Sequence, residues 1–261
     1  MSDFAHVLRM ICVSALLALS SVTAAATDLR VVVSGGFAQA YKDLTPAYEQ
    51  SSGDHLISGW GPSMGNTVNA IPARLARGEP IDVVIMVGDA LDRLMDEGKL
   101  QPGSKVVLAN SLIACAVRSG SPQPDIRTVE GLKSAFLNAR KVAYSDSASG
   151  EYIRHRLMQT LQIEVQMQGK AAQIPATPVG EILARGEADF GCQQHSELLP
   201  VKGITIVGLI PDQVQLSTPF AAAIVKGSQN TQAAQKLLHF LSAPASAAAI
   251  RATGLAPVST P

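Results

Sequence analysis

Three short segments share one form: an apolar strand-like run, a turn of serine and glycine, then a helical pattern. They are Ser34-Gly35-Gly36, Gly61-Pro62-Ser63-Met64-Gly65 and Ser147-Ala148-Ser149-Gly150. A helix start leaves main-chain N–H groups without partners and carries partial positive charge. Glycine lets that main chain come close to a ligand, and a serine hydroxyl adds a donor. Converging on one crevice, three such ends hold an anion without any net positive charge. Taken singly, each serine is also what ordinary helix capping asks for. The binding set read from these turns is Ser34, Gly35, Gly36, Ser63, Met64, Ser149 and Gly150.

The elements around the turns alternate between strand and helix, the mark of an α/β chain. Leu29 to Val33 reads as the first strand and feeds Ser34; a helix from Phe37 to Gln50 follows, with Pro46 inside it. Strand-like His55 to Ser58 leads to the second turn, and a helix over Asn66 to Arg77 ends at Gly78. Ile81 to Val87 is apolar without a break, as a buried parallel strand is, and a helix over Ala90 to Glu97 closes the section. Val106 to Val117 is too long for one simple strand and reads as a crossover into a second lobe. There the plan repeats: a helix at Val129 to Asn138, a strand at Val142 to Tyr144, and a helix from Glu151 to Leu161 with Ile153, Leu157 and Leu161 as its apolar stripe. A helix at Pro178 to Arg185 and a strand at Phe190 to Gln193 come next, and Gln215 to Lys226 reads as the return crossover. Ala234, Leu237, Leu238 and Leu241 give the tail a helical stripe. The expected architecture is two α/β lobes exchanging two crossover strands, with a ligand cleft between them: lobe one from 27–109 plus 218–261, lobe two from 110–217.

Composition narrows the function classes. The 261 residues hold 21 Lys+Arg against 21 Asp+Glu, so the chain is neutral and lacks the basic excess of a nucleic-acid binder. At 47% hydrophobic and 16% charged it is not a disordered chain. Aromatics at 4% leave little for stacking on bases or sugars. Arg9, the apolar run Met10 to Leu19 and the small residues Ala24-Ala25-Ala26 have the order of a secretory signal, expected to span 1–26. The run is too short to span a bilayer, so a soluble periplasmic protein without membrane insertion is expected. Cys115 and Cys192 remain in the mature chain, either paired, as an oxidising compartment permits, or as two buried thiols. Gly59-x-Gly61 does not complete a dinucleotide fingerprint, because Met64 stands where the third glycine belongs. The histidines His55, His155, His195 and His239 show no metal-ligand spacing, and neither metal nor cofactor is expected.

These segments together resemble periplasmic molybdate-binding proteins of the type II solute-binding fold. The resemblance covers nearly all of the mature chain. It rests on Ser34, on Ser63 ahead of the LARGEPIDVVIM segment, on the SASGEY helix start, and on RGEADFG at Arg185 to Gly191. It implies that the first two serines donate to an oxyanion, with main-chain N–H groups near the third loop. The position where the family carries a tyrosine holds Gln194, and the segment between Ser63 and Gly78 is longer than usual. Both departures turn the reading from molybdate toward a planar carboxylate, to which an amide donates. A branch of this family isomerises aconitate by moving a double bond through an allylic proton shift. That reaction needs donors for the carboxylates and a base that titrates near working pH. For that reaction His195 is the candidate base, since histidine titrates in the right range, and Arg154 and His155, one turn into the helix after Ser149, are candidate partners for a second or third carboxylate. The alternative it implies is the substrate-binding subunit of an ABC permease for molybdate or another oxyanion.

Overall fold

The structure is a computed structural model and describes residues 26–65 and 67–258. The expected signal segment, but for Ala26, lies outside the described residues, as does Asn66 at the start of the helix expected there. The first section runs β1 (Asp28–Val33), α1 (Gly35–Ser52), β2 (His55–Trp60), α2 (Ile71–Ala76), β3 (Val83–Val87), α3 (Gly88–Asp96) and β4 (Val106–Ser111). The second runs β5 (Ile113–Arg118), α4 (Val129–Asn138), β6 (Val142–Ser145), α5 (Ala148–Tyr152), α6 (Met158–Thr160), α7 (Glu164–Met167), β7 (Ala171–Ile174), α8 (Val179–Ala184), β8 (Phe190–Gln194), α9 (His195–Leu198) and β9 (Ile204–Leu209). Then come β10 (Thr218–Ile224), α10 (Thr231–Ser242), α11 (Ala247–Ala252) and β11 (Ala256–Pro257).

The strands form two mixed sheets. One has the order β11-β4-β10-β3-β1-β2, the other β7-β6-β8-β5-β9. Parallel β2, β1 and β3 put the ends of three strands, and the turns after them, on one side of the first sheet. β6 and β8 do the same in the second. Ligands of open parallel sheets bind beyond such carboxyl ends. The long Val106 to Val117 run divides at Leu112: β4 stays in the first sheet and β5 enters the second. β10 returns to the first sheet and lies antiparallel between β3 and β4. The central strands are apolar on both faces because helices cover both, and Val83 to Val87 is buried throughout.

Local chemistry explains most helix limits. α1 turns Phe37, Ala40, Tyr41, Leu44 and Tyr48 onto the sheet and ends where Gly53 takes a φ of 75° and its N–H reaches the Glu49 carbonyl. Pro46 leaves this helix unbroken, and the Thr45 hydroxyl donates to the Tyr41 carbonyl one turn back. The helix expected over Asn66 to Arg77 is shorter, since residues 67–70 form turns and Pro72 stands in the first turn of α2, where a missing N–H costs nothing. The helix expected from Glu151 starts earlier, at Ala148, and passes through a π-turn at Ile153–Leu157. Its buried side is still Ile153, Leu157 and Leu161. Cys115 and Cys192 stand opposite each other in the β5–β8 register and are joined by a disulfide, the first of the two alternatives above. Among the described residues no helix is long and apolar enough to cross a membrane.

Candidate functional site

A cavity of about 260 Å³ lies between the two sheets. The first sheet supplies its β1–α1 turn with Ser34, Gly35 and Gly36, the exit of β2 with Trp60, Gly61 and Pro62, and Lys42 from α1. The second supplies the β6–α5 loop from Ser145 to Ala148, Gln193 and Gln194 at the end of β8, and Glu197 from α9. The lobes also touch here, since the Ser196 hydroxyl donates to the Gly36 carbonyl at 2.7 Å.

Ser34 precedes α1 with an extended backbone, yet its side chain makes no capping bond. Its Oγ is buried without any hydrogen-bond partner. A buried hydroxyl without a partner costs free energy that a ligand oxygen would offset. Gln194 is the second such group: its Nε2 donates to Thr218 Oγ1 at 3.1 Å while Oε1 has no partner. Since Thr218 can equally donate, the carboxamide can turn its NH2 toward an anion at no loss. Lys42 adds a cation at the rim, with Nζ 4.7 Å from the centre of the Trp60 ring.

Gln193 and Glu197 form a fixed pair. The Val179 N–H donates to Gln193 Oε1 at 2.9 Å, which settles the carboxamide orientation and sends Nε2 to Glu197 Oε2. That carboxylate rests over Gly35: a Cβ there would lie 2.5 Å from Oε2, so only glycine leaves it room. Burial pushes the Glu197 carboxyl up to about 7, and the neighbouring Asp146 carboxylate pushes the same way. Asp146 in turn accepts from the Ala176 N–H, and Ala176 holds a φ of 56° to present it.

A second space of about 720 Å³ adjoins the cavity and shares Val87, Asp146 and Ala148 with it. Ser63 and Met64 line this space rather than the first, together with Arg93, His155 and Arg156. Ser63 is buried, and its Oγ accepts from the Val87 N–H at 3.0 Å, leaving its hydrogen to donate.

The sequence-derived set is therefore only partly brought together. Ser34, Gly35, Gly36 and Gln194 line the cavity, and Ser63 and Met64 line the adjoining space. Ser149 and Gly150 line neither. The Ser149 hydroxyl is paired with Ser145 Oγ at 3.2 Å, and Gly150 is packed on the Ser145 carbonyl, so the third turn offers Ser147 and Ala148 instead. Arg154 lines neither space, whereas Arg156, equally exposed, lines the adjoining one, because positions two apart on a helix do not face the same way. His195, the first residue of α9, is half-buried beside Gly254, and burial lowers its pKa. It lines neither of the two spaces. Lys42, Asp146 and Glu197 are the cavity groups that reading the sequence passed over. Glu197 stands two residues after His195, and its only local signal was a carboxylate following Gln193-Gln194. Among the described residues no three His, Cys, Asp or Glu side chains gather into a metal-holding group.

The family model for bacterial extracellular solute-binding proteins matches residues 29–256. An aconitate isomerase from a Pseudomonas species is 49% identical over 232 residues, covering 89% of this chain and 88% of that protein. The molybdate-binding protein ModA of Escherichia coli is 24% identical over 212 residues, covering 77% of this chain and 79% of that one. The periplasmic molybdate-binding protein of Azotobacter vinelandii superposes with a TM-score of 0.69 at 19% identity, over 87% of this chain and 98% of that one. The likeness to that structure is one of fold, the two-lobed type II periplasmic binding protein arrangement expected from the sequence.

Proposed function

The chain belongs to the family of bacterial extracellular solute-binding proteins, and from that premise we propose that it is an exported aconitate isomerase acting in the periplasm. The observation that carries this reading is the 49% identity with an aconitate isomerase across 89% of the chain. The cavity suits the substrate class. Ser34 Oγ and the Gln194 carboxamide are buried groups in want of a polar ligand, and Lys42 offers a charge to a carboxylate. Arg93 and Arg156 in the adjoining space are within the same cleft region for a further carboxylate of a tricarboxylic acid. The Cys115–Cys192 disulfide agrees with export to an oxidising compartment, as does the signal segment read at 1–26.

The reaction needs a hydrogen removed from a carbon flanked by a carboxylate and an alkene. The charge that develops spreads over the allylic system into carboxylate oxygens. Donors already aimed at those oxygens lower the barrier, because they need no reorganisation as the charge forms. Ser34, the first N–H groups of α1 and Lys42 fill that role in the first lobe; Gln194 and Ser147 fill it in the second.

Purified protein incubated with cis-aconitate, followed by proton NMR for the trans isomer, tests the reading. Turnover supports it. No turnover, with tight molybdate binding by calorimetry, refutes it and favours the alternative of a substrate-binding subunit for molybdate, toward which the likeness to a molybdate-binding protein points.

A further inference from the structure

We propose that Glu197 is the catalytic residue that takes the allylic proton and returns it at the other end of the double bond, a role that rests on the isomerase reading above. Three features of the site converge on its carboxylate. It lines the cavity that Ser34 and Gln194 also line. Its Oε2 is held by Gln193 Nε2, whose own orientation is locked by the Val179 N–H. The glycine at 35 leaves the space that the carboxylate occupies over the start of α1, next to the groups that would bind a substrate carboxylate. A base held on one oxygen keeps the other to meet a C–H bond.

The step balances without a co-reactant. The Glu197 carboxylate takes H⁺ from the methylene carbon of aconitate. The freed C–H electron pair becomes the new double bond to the central carbon. The old double-bond pair moves to the opposite terminal carbon, which takes H⁺ back from the Glu197 carboxyl. One C–H bond breaks and one forms, no electrons are gained or lost, and Glu197 ends as it began. A carboxyl titrating near 7 can serve both halves at neutral pH, because it neither holds the proton too tightly nor gives it up too readily. The charged groups that share a lining with Glu197 are Asp146 of the β6–α5 loop, Lys42 of α1, Glu181 of α8, Arg185 just after it, and Lys202 beyond α9. Asp146 is the less suited base, since its Oδ2 already accepts from the Ala176 N–H and it is the group whose charge raises Glu197.

The test uses the full mature protein and the variants E197Q and E197D, with trans-aconitate as the binding probe. The expected result is a loss in kcat of about 100-fold or more for E197Q. Its calorimetric Kd for trans-aconitate stays within about threefold of the parent. E197D retains part of the rate, and the parent's kcat falls as pH drops through about 7 while the residual rate of E197Q does not follow that limb. Equal kcat for E197Q and the parent overturns the assignment. So does loss of trans-aconitate binding in a variant that still melts cooperatively, which would make Glu197 a binding group. Failure of the parent itself to isomerise aconitate refutes the isomerase reading instead, so the two failures are distinct.

Discussion

Replacing Glu197 with glutamine stabilises the protein above neutral pH, and the size of the gain follows from where the carboxyl sits. Burial and the nearby Asp146 carboxylate raise it from its ordinary 4.5 to about 7 in the folded state. One unit corresponds to about 1.4 kcal/mol, so the shift amounts to roughly 3 kcal/mol, trimmed to about 2–3 kcal/mol by the side chain's partial exposure. The sign is fixed by linkage. The folded state holds this proton more tightly than the unfolded chain, so the contribution is fully present below 4.5 and is lost as pH rises through about 7. Glutamine occupies nearly the same volume, accepts from Gln193 with its carbonyl oxygen, and has no charge to bury. The two proteins should therefore unfold alike at pH near 4, and the variant should be more stable by about 2–3 kcal/mol at pH near 8. Urea titrations of both proteins across that range give the difference curve directly, since the other titrating groups are common to both. A flat difference curve would refute the argument, because it would mean that the carboxyl titrates alike in the folded and unfolded chains. The gain in stability at the cost of turnover is what a charge kept in a cleft for chemistry predicts.

Three further outcomes follow from the same geometry. Ser34→Ala should weaken trans-aconitate binding by about 10–100-fold in calorimetry, the worth of a hydrogen bond to a charged ligand. It should leave stability within about 0.5 kcal/mol, because Ser34 Oγ has no partner in the fold. The disulfide closes a loop with a sequence separation of 77, so reduction, or Cys115→Ala with Cys192→Ala, should cost about 4 kcal/mol in urea unfolding; an unchanged midpoint would contradict it. His195→Ala should keep the parent's kcat, since that ring packs on Gly254 outside the cavity, and should lower the melting temperature through lost packing worth about 1 kcal/mol. A large fall in kcat with an unchanged melting temperature would return His195 to the mechanism.

Features that repeat at short range are legible without the fold. Strand, turn and helix alternation, the unbroken apolar run at Val83 to Val87 and the stripe of α10 are local patterns, and they specified an α/β chain with two crossovers. The Ser34 turn was equally legible, because a serine and two glycines after a buried strand carry their meaning within three residues. Direction was not. Ser147 and Ser149 are two residues apart, yet one lines the cavity and the other pairs with Ser145; the first turn of α5 decides which. Arg154 and Arg156 were separated in the same way by the rotation of their helix. The pairing of Cys115 with Cys192 needed β5 and β8 to be neighbours in one sheet, a fact about residues far apart in the chain. The base needed more still. Histidine titrates near neutrality anywhere, whereas glutamate does so only when tertiary packing removes its water and sets a second carboxylate beside it. Residue type alone therefore favoured His195, and the fold gave the neutral-range carboxyl to Glu197 by bringing Gly35, Gln193 and Asp146 around it.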